Sequence, residues 1–212
     1  MSNKLVLIGG GGHCASVIDT VLTSTEYGEI VITDKENVGK KVLGIPIVGA
    51  DECLEELLGN GFTDAFITLG SIGDPNNRQK IYNQIKKIGF NIPNIIDKTA
   101  SVSKSVNLGE GIFIGKHSVI NSLASVGNNC IINTASVIEH ECVLGEFVHV
   151  APNAVLCGNV TVGDGSHIGA GSVVRQQITI GKNVIIGAGS VVVKNISDGR
   201  TAYGNLCKET EK

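Results

Sequence analysis

His140 and Glu141 stand side by side in the stretch Asn133-Thr134-Ala135-Ser136-Val137-Ile138-Glu139-His140-Glu141, the richest cluster of reactive side chains in the chain. An imidazole beside a carboxylate can act as a general base, because the acid stabilises the imidazolium and orients the ring. The same dipeptide also fits a solvated surface pair. His149 and His167 lie eighteen residues apart, a spacing that could stack two imidazoles on one edge of a repeating structure and bind a metal. Near the N-terminus, Gly9-Gly10-Gly11-Gly12 precedes His13. Such a turn lets backbone approach a ligand closely and can cradle phosphate at a helix start. Read as GxGxxG from Gly9, its third glycine is replaced by Cys14, and a tight turn with no ligand remains the plainer reading. Asp34 follows an apolar run, where an acid commonly meets a ribose hydroxyl; an exposed loop acid reads equally well.

The elements that must hold these groups come in two kinds. From Val102 in steps of six, every residue through Val192 is Val, Ile or Leu, sixteen positions in all, including Ile114, Ile132, Ile138, Val150, Ile168 and Ile186. The next position is often Gly (109, 115, 127, 145, 163, 169, 181, 187), and the fifth is small or aliphatic, from Val106 through Cys142 to Ile196. A period of six fits neither a helix nor a simple strand. It fits a flat segment and a corner, three of which close a triangular coil, with coils stacked as parallel strands about 4.8 Å apart. Inward positions are thereby apolar, so chemistry must sit on outer faces and corners. His140 and Glu141, third and fourth in their unit, fall there, and His149 and His167 fall one coil apart on one edge. No insertion interrupts the beat.

The first hundred residues follow a different pattern. Residues 4–8 read as a buried strand, followed after the glycine turn by a helix with Val17, Ile18, Val21 and Leu22 on one face. Residues 30–33 predict a second strand, 51–58 a short helix begun by Asp51 and stopped by Gly59, 65–69 a third strand, and 77–88 a helix carrying Ile81, Ile85 and Ile88. This alternation predicts a small Rossmann-like parallel sheet. Residues 91–100, with Pro93, form the boundary, giving domains 1–98 and 99–212. Twenty-eight glycines and no Trp among 212 residues suit short strands with tight corners rather than a helical bundle. A net charge of −3 offers no polyanion-binding surface. The apolar run at 5–8 is too short for a signal peptide or a span, and six scattered Cys read as buried thiols, so a cytoplasmic location is expected.

The order Ile8-Gly9-Gly10-Gly11-Gly12-His13, Ile32-Thr33-Asp34-Lys35, Val42-Leu43-Gly44-Ile45-Pro46-Ile47-Val48-Gly49, and then residues 133–152 centred on Ile138-Glu139-His140-Glu141-Cys142 resembles the PglD/NeuD-type sugar acyltransferases, relatives of other hexapeptide-repeat acetyltransferases, over nearly the whole chain. The left hand of the coil is implied by this resemblance, since general crossover rules favour the right. The resemblance further implies an acetyl-CoA-dependent homotrimer with a nucleotide-linked sugar on the N-terminal domain and acetyl-CoA in the cleft between neighbouring coils. On that pattern Gly10, Gly11, Gly12, His13, Asp34, Lys35, Gly70 and Asn133 bind substrate, His140 takes the proton and Glu141 orients it. The Gly158 N–H faces the thioester oxygen, His149 helps place the acetyl group, and pantetheine runs past Ala170 and Ala188. No metal, membrane or nucleic acid is required.

Two departures stand out. Relatives commonly end in Gly-x-Pro-Ala-Lys near the coenzyme adenine, whereas this chain has Gly204-Asn205-Leu206-Cys207-Lys208. Residues 71–77 (Ser-Ile-Gly-Asp-Pro-Asn-Asn) form a longer loop than the turns of some relatives, near the expected sugar. The leading expectation is N-acetylation of a UDP-4-amino-4,6-dideoxy sugar in bacterial glycan assembly. Sialic acid (nonulosonate) O-acetylation, a non-catalytic sugar-nucleotide-binding protein and a metal hydratase are the alternatives. The hexapeptide-fold carbonic anhydrase pattern needs histidines five apart, which this chain lacks.

Overall fold

The computed structural model describes residues 3–205 and 207–210, in two compact units: Met1–Gly70 with Asn76–Ile96, and Ser71–Pro75 with Asp97–Lys212. The first unit is built on β1 (Lys4–Ile8), α1 (Gly12–Ser24), β2 (Glu29–Thr33), β3 (Lys41–Val42), β4 (Ile45–Gly49), α2 (Leu54–Gly59), β5 (Asp64–Ile67) and α3 (Asn76–Ile88). Sheet order is β3-β4-β2-β1-β5, all parallel except the β3–β4 hairpin. The parallel part, β4-β2-β1-β5, follows the Rossmann order, with a switch of direction between β1 and β5. Val6, Ile8, Val31, Ala65, Ile67, Leu54 and Ile85 build one core.

Several local expectations change. The β3–β4 hairpin stands where no strands were expected, because the Gly44 turn (φ 86) and the Leu43 conformation (φ 46) fold residues 41–49 back on themselves. Leu22 is 57% exposed, so the buried face of α1 is Cys14, Val17, Ile18, Thr20 and Val21. The short helix opens with a 3-10 turn at Asp51–Cys53. Asp51 does not cap it: its carboxylate accepts the Thr33 hydroxyl at 2.9 Å. Gly59 lies inside α2, and the chain turns at Gly61 (φ 87).

In the second unit every expected aliphatic position from Val102 to Val192 ends a two-residue strand, and the strands stack in parallel eighteen residues apart. This is the left-handed parallel β-helix of hexapeptide repeats. Three faces differ in what they show outside. A valine face presents Val119, Val137, Val155, Val173 and Val191; a second presents Asn107, Ser125, Val143, Thr161 and Thr179; a histidine face presents Phe113, Ile131, His149, His167 and Ile185. From Gly111 to Gly189 the fourth residue of each unit turns the corner in a left-handed conformation, for example Ala135 (φ 56), Glu141 (φ 60) and Asn159 (φ 57). Glycine after the aliphatic residue serves another purpose. A β-carbon at Gly127 would lie 2.6 Å from the Gly145 carbonyl carbon, so the coils stack too closely there for a side chain. Buried Ser136, Ser166 and Ser172 each donate to a nearby carbonyl, and Cys142 donates to Cys157 O.

The beat breaks once. Ile196, expected in the fifth-position column, instead bridges Ile180, sixteen residues back, and Thr201 pairs with Ile185. Two residues are missing from the corner after Val192, which shifts Ile196 into the aliphatic column. Thr201–Tyr203 then pairs antiparallel with Lys208–Thr210.

Asp97 opens the coil. Its buried carboxylate accepts from Thr99 N and Oγ1 and from Lys116 Nζ (2.9, 2.7 and 3.2 Å). Burial alone raises its pKa, but these donors outweigh burial and hold it down at about 2. The unfolded carboxyl titrates near ~3.9, so the stabilisation is complete above that pH and is lost as pH falls through the folded value. Asp97→Asn should lower stability at pH 7 and flatten the decline between pH 4 and 2, as read by chemical denaturation at both ends of that window.

Candidate active site

The first unit carries a crevice of about 470 Å³ at the carboxyl ends of its parallel strands, lined among others by Gly9, Asp34, Lys35, Asp51, Glu52 and Lys80. Ligands of open α/β sheets bind at such a crevice. The four glycines divide by role. A β-carbon at Gly9 (φ 107) would strike Leu69, and one at Gly10 would press on Asp34 and Ile47. A β-carbon added at Gly11 or Gly12 would meet nothing within 4 Å, so side-chain packing does not explain these two glycines. Gly70 borders His13, whose β-carbon is 3.9 Å from where one would stand on Gly70. Asp34 accepts Gly10 N (2.8 Å), Glu36 N (2.9 Å) and Asn37 Nδ2 (3.2 Å). Burial pushes its pKa up, and the amide donors prevail and hold it below the ordinary carboxylate range. The Gly10 amide is thus committed to Asp34. Cys14, in place of the fingerprint glycine, is a buried thiol raised to about 11 chiefly by burial.

In the second unit the reactive residues occupy two edges of the coil. On the edge following the valine face, Glu141 Oε2 accepts from His140 Nδ1 at 3.0 Å, with both side chains more than half exposed (59% and 56%). That contact leaves the imidazole lone pair on Nε2, the form a general base needs. Gly158, one coil on, lies under the ring: a β-carbon there would sit 2.6 Å from His140 Cε1 and Nε2. The Gly158 amide donates to no group among the described residues. The left-handed backbone at Glu141 turns the corner that sets the pair outward.

The edge preceding the valine face carries Asn133, Ala170 and Ala188, with His149 beside it on the histidine face. Asn133 Nδ2 meets His149 Nε2 at 3.4 Å, and the Ala170 carbonyl accepts Gly189 N. One copy of the chain therefore brings His140, Glu141 and Gly158 together, and separately Asn133 and His149, with the valine face between the two groups.

His149 and His167 stack as expected, edge to face with centroids 4.8 Å apart. His149 Nδ1 meets the Ser71 carbonyl at 2.9 Å and its Nε2 meets Asn133 at 3.4 Å. Among the described residues no three His, Cys, Asp or Glu side chains gather as ligands. Ser71 itself had no sequence signal, since its carbonyl makes the contact. In the tail, Leu206 lies outside the described residues; Cys207 N donates to Val191 O, and a hollow of about 420 Å³ is lined by Lys194, Ile196, Cys207 and Lys208. No helix among the described residues is long and apolar enough to cross a membrane.

Comparison with known proteins agrees with this fold. Residues 4–85 match the family described as the PglD N-terminal domain, and residues 141–176 and 159–194 match the bacterial transferase hexapeptide (six repeats). Among solved structures, PerB from Caulobacter crescentus in complex with CoA and GDP-perosamine is 37% identical, covering 98% of this chain and 97% of its own, with a TM-score of 0.90. The acetyltransferase domain of PglB from Neisseria gonorrhoeae in complex with acetyl coenzyme A is 36% identical over 99% of this chain and 100% of its own, with a TM-score of 0.93. WeeI from Acinetobacter baumannii, at 22% identity and a TM-score of 0.87 over 99% of this chain and 100% of its own, shares the fold. No curated protein sequence matches the chain.

The close fit of the His140 ring over Gly158 generates a test. Gly158→Ala should push the imidazole off the edge and break its contact with Glu141, visible in a crystal structure, while leaving the coil stack intact. An unmoved ring would show that residue 158 does not shape the site.

Proposed function

Because the chain belongs to the PglD-type hexapeptide sugar acyltransferases, we propose that it transfers the acetyl group of acetyl-CoA to the amine of a nucleotide-linked 4-amino-4,6-dideoxy sugar. The observation that carries this reading is the His140–Glu141 pair lying over Gly158. In the proposed reaction the sugar amine attacks the thioester carbonyl, and negative charge grows on oxygen. The Gly158 amide is the candidate donor to that oxygen; such a donor is worth most where water is excluded. His140 Nε2 takes the proton from the attacking nitrogen, and Glu141 keeps the ring in the right tautomer and stabilises the imidazolium. The carbon–sulfur bond then breaks as the imidazolium of His140 gives its proton to the departing sulfur, releasing CoA thiol and restoring the base. No acyl-enzyme is needed, and Cys142, buried with its thiol pKa raised by burial, is poorly suited to be a nucleophile.

The nucleotide portion suits the strand-end crevice, whose wall includes Gly9, Asp34 and Lys35, with Gly11 and Gly12 at the nearby start of α1 open to a phosphate. The relative from Caulobacter crescentus holds GDP-perosamine, so guanine stands beside uracil as the base to test. Asn133 and His149 are proposed to help place the substrate and the acetyl group, with pantetheine passing Ala170 and Ala188.

The stacked valines support a homotrimer. An outward column of Val119, Val137, Val155, Val173 and Val191 is an apolar stripe where the neighbouring face shows Ser125, Thr161 and Thr179. It is flanked by the Asn133 edge and the His140 edge. Packing three valine faces around one axis would set the Asn133 edge of one copy against the His140 edge of the next, making one site from two half-sites.

Two measurements test this. Thiol release with acetyl-CoA and UDP- or GDP-linked 4-amino sugars should exceed that with sialic acid, and His140→Ala should cut kcat by about 10²–10⁴-fold with sugar-nucleotide binding unchanged by calorimetry. Preference for sialic acid would favour O-acetylation, and full function with His140→Ala would favour a binding protein. Separately, Val155→Asp should convert the trimer to monomers by analytical ultracentrifugation and abolish turnover; an active monomer would remove the shared site.

A further inference from the structure

The second unit contains a short segment from outside the coil, Ser71–Pro75. It lies along the histidine face. Ser71 O accepts from His149 Nδ1, Gly73 (φ 73) abuts the Ile185 side chain so closely that a β-carbon would collide, and Pro75 lies against Gly165. His167 sits in the ladder between His149 and Ile185.

The hydrogen bonds along this strap have a forced direction. A carbonyl only accepts, so His149 Nδ1 carries the proton. Its Nε2 then holds a lone pair and accepts from Asn133 Nδ2 at 3.4 Å. Asn133 Oδ1 accepts Thr134 N at 2.8 Å, which fixes the same orientation of the amide from the other side. Reversing the amide would set donor against donor at Thr134 and acceptor against acceptor at His149. A chain of bonds aligned in this way is mutually polarising. Asn133 Nδ2 has a second hydrogen that none of these contacts uses.

His167 is the unexplained member of the group. It is only 7% exposed, and its Nδ1 has no hydrogen-bond partner among the described residues, an unfavourable choice where Phe113, Ile131 and Ile185 fill equivalent places. What it contributes is a ring packed edge to face against His149 at 4.8 Å and 76°. Burial, with a smaller contribution from His149, depresses its pKa to about 4, so it brings no charge to its neighbour at neutral pH.

We propose that His167 and the Ser71–Pro75 strap are positioning elements that hold His149 as its Nδ1–H tautomer, and through it turn the Asn133 amide to offer one Nδ2 hydrogen to the acyl carbonyl oxygen of the coenzyme. The proposal rests on the reading that Asn133 and His149 place the acetyl group. It also gives the longer 71–77 loop a role through main chain, which no side-chain motif would reveal.

The test reads the tautomer directly. In full-length protein labelled with ¹⁵N-histidine, long-range proton–nitrogen spectra distinguish the two neutral forms, and His149→Gln assigns the His149 signals among five histidines. Wild type should show one Nδ1–H form. His167→Ala should give a mixture and lower kcat with acetyl-CoA about tenfold, since the donor loses its aim at the oxygen on which charge grows; His167→Phe, which keeps a ring there, should restore both. Gly73→Val, which drives the strap off Ile185, should give the same mixture with His167 intact, and it decides the matter if His167→Ala does not fold. Unchanged tautomer and kcat in His167→Ala, no rescue by Phe, or an unmoved tautomer in Gly73→Val would overturn the proposal. If the tautomer responds but no amino sugar is acetylated, the function falls and the lock stands. If acetylation proceeds while the tautomer ignores the strap, only the lock falls.

Discussion

Backbone hydrogen bonding between successive coils governs the second unit. Asn133 N to Val150 O, Glu139 N to Leu156 O and Asn159 N to His140 O, each 2.8–2.9 Å, hold residues eighteen apart at the spacing of neighbouring parallel strands, about 4.8 Å. At that spacing a position is defined by what stands above and below it. Gly127 is glycine because the Gly145 backbone fills its side-chain space, and Gly158 leaves open the space that the His140 ring occupies. Structural and chemical glycines arise from one constraint, and only the identity of the neighbour tells them apart.

The same constraint explains why the reactive groups divide between edges. The interior is closed by Ile138, Leu156, Val174 and their counterparts on the other faces, so a polar side chain has only the corners and outer columns. Corners repeat, yet each carries a different set: His140 and Gly158 on one, Asn133, Ala170 and Ala188 on another. The face between them is the one lined with valine. An apolar face and two separated groups of polar side chains thus coincide on the same part of the coil, so the proposed trimer and the proposed transfer call on the same surface.

Much of this was legible from sequence because the coil writes its geometry as a simple period. Sixteen aliphatic residues at sixfold spacing located every strand of the stack up to Val192. The parallel sheet was legible from the apolar runs at 4–8, 30–33 and 65–69. What escaped reading depended on features that leave no side-chain pattern. The β3–β4 hairpin hangs on backbone conformations at Leu43 and Gly44, and Ile196 changes column because two residues are absent from one corner. Asp51 looked like a helix cap, but Thr33, distant in sequence, claims its carboxylate. The Ser71 carbonyl contact with His149 could not be anticipated, since every residue type carries that carbonyl.

The two units also handle carboxylates in a common way that bears on the chemistry. Asp34 is held below the usual range by the Gly10 and Glu36 amides, and Asp97 by Thr99 and Lys116, in each case against the effect of burial. Both are committed anions with their lone pairs in use, suited to fixing backbone rather than exchanging protons. Glu141 differs: it is half exposed and its paired group is an imidazole. A carboxylate bound by fixed amides cannot follow a change in charge, whereas one paired with His140 can meet an imidazolium as it forms. The acids that stiffen the glycine turn and the first coil are therefore chemically separate from Glu141, the acid paired with an imidazole, so the proton transfer proposed at His140 would leave the scaffold's own carboxylate contacts untouched.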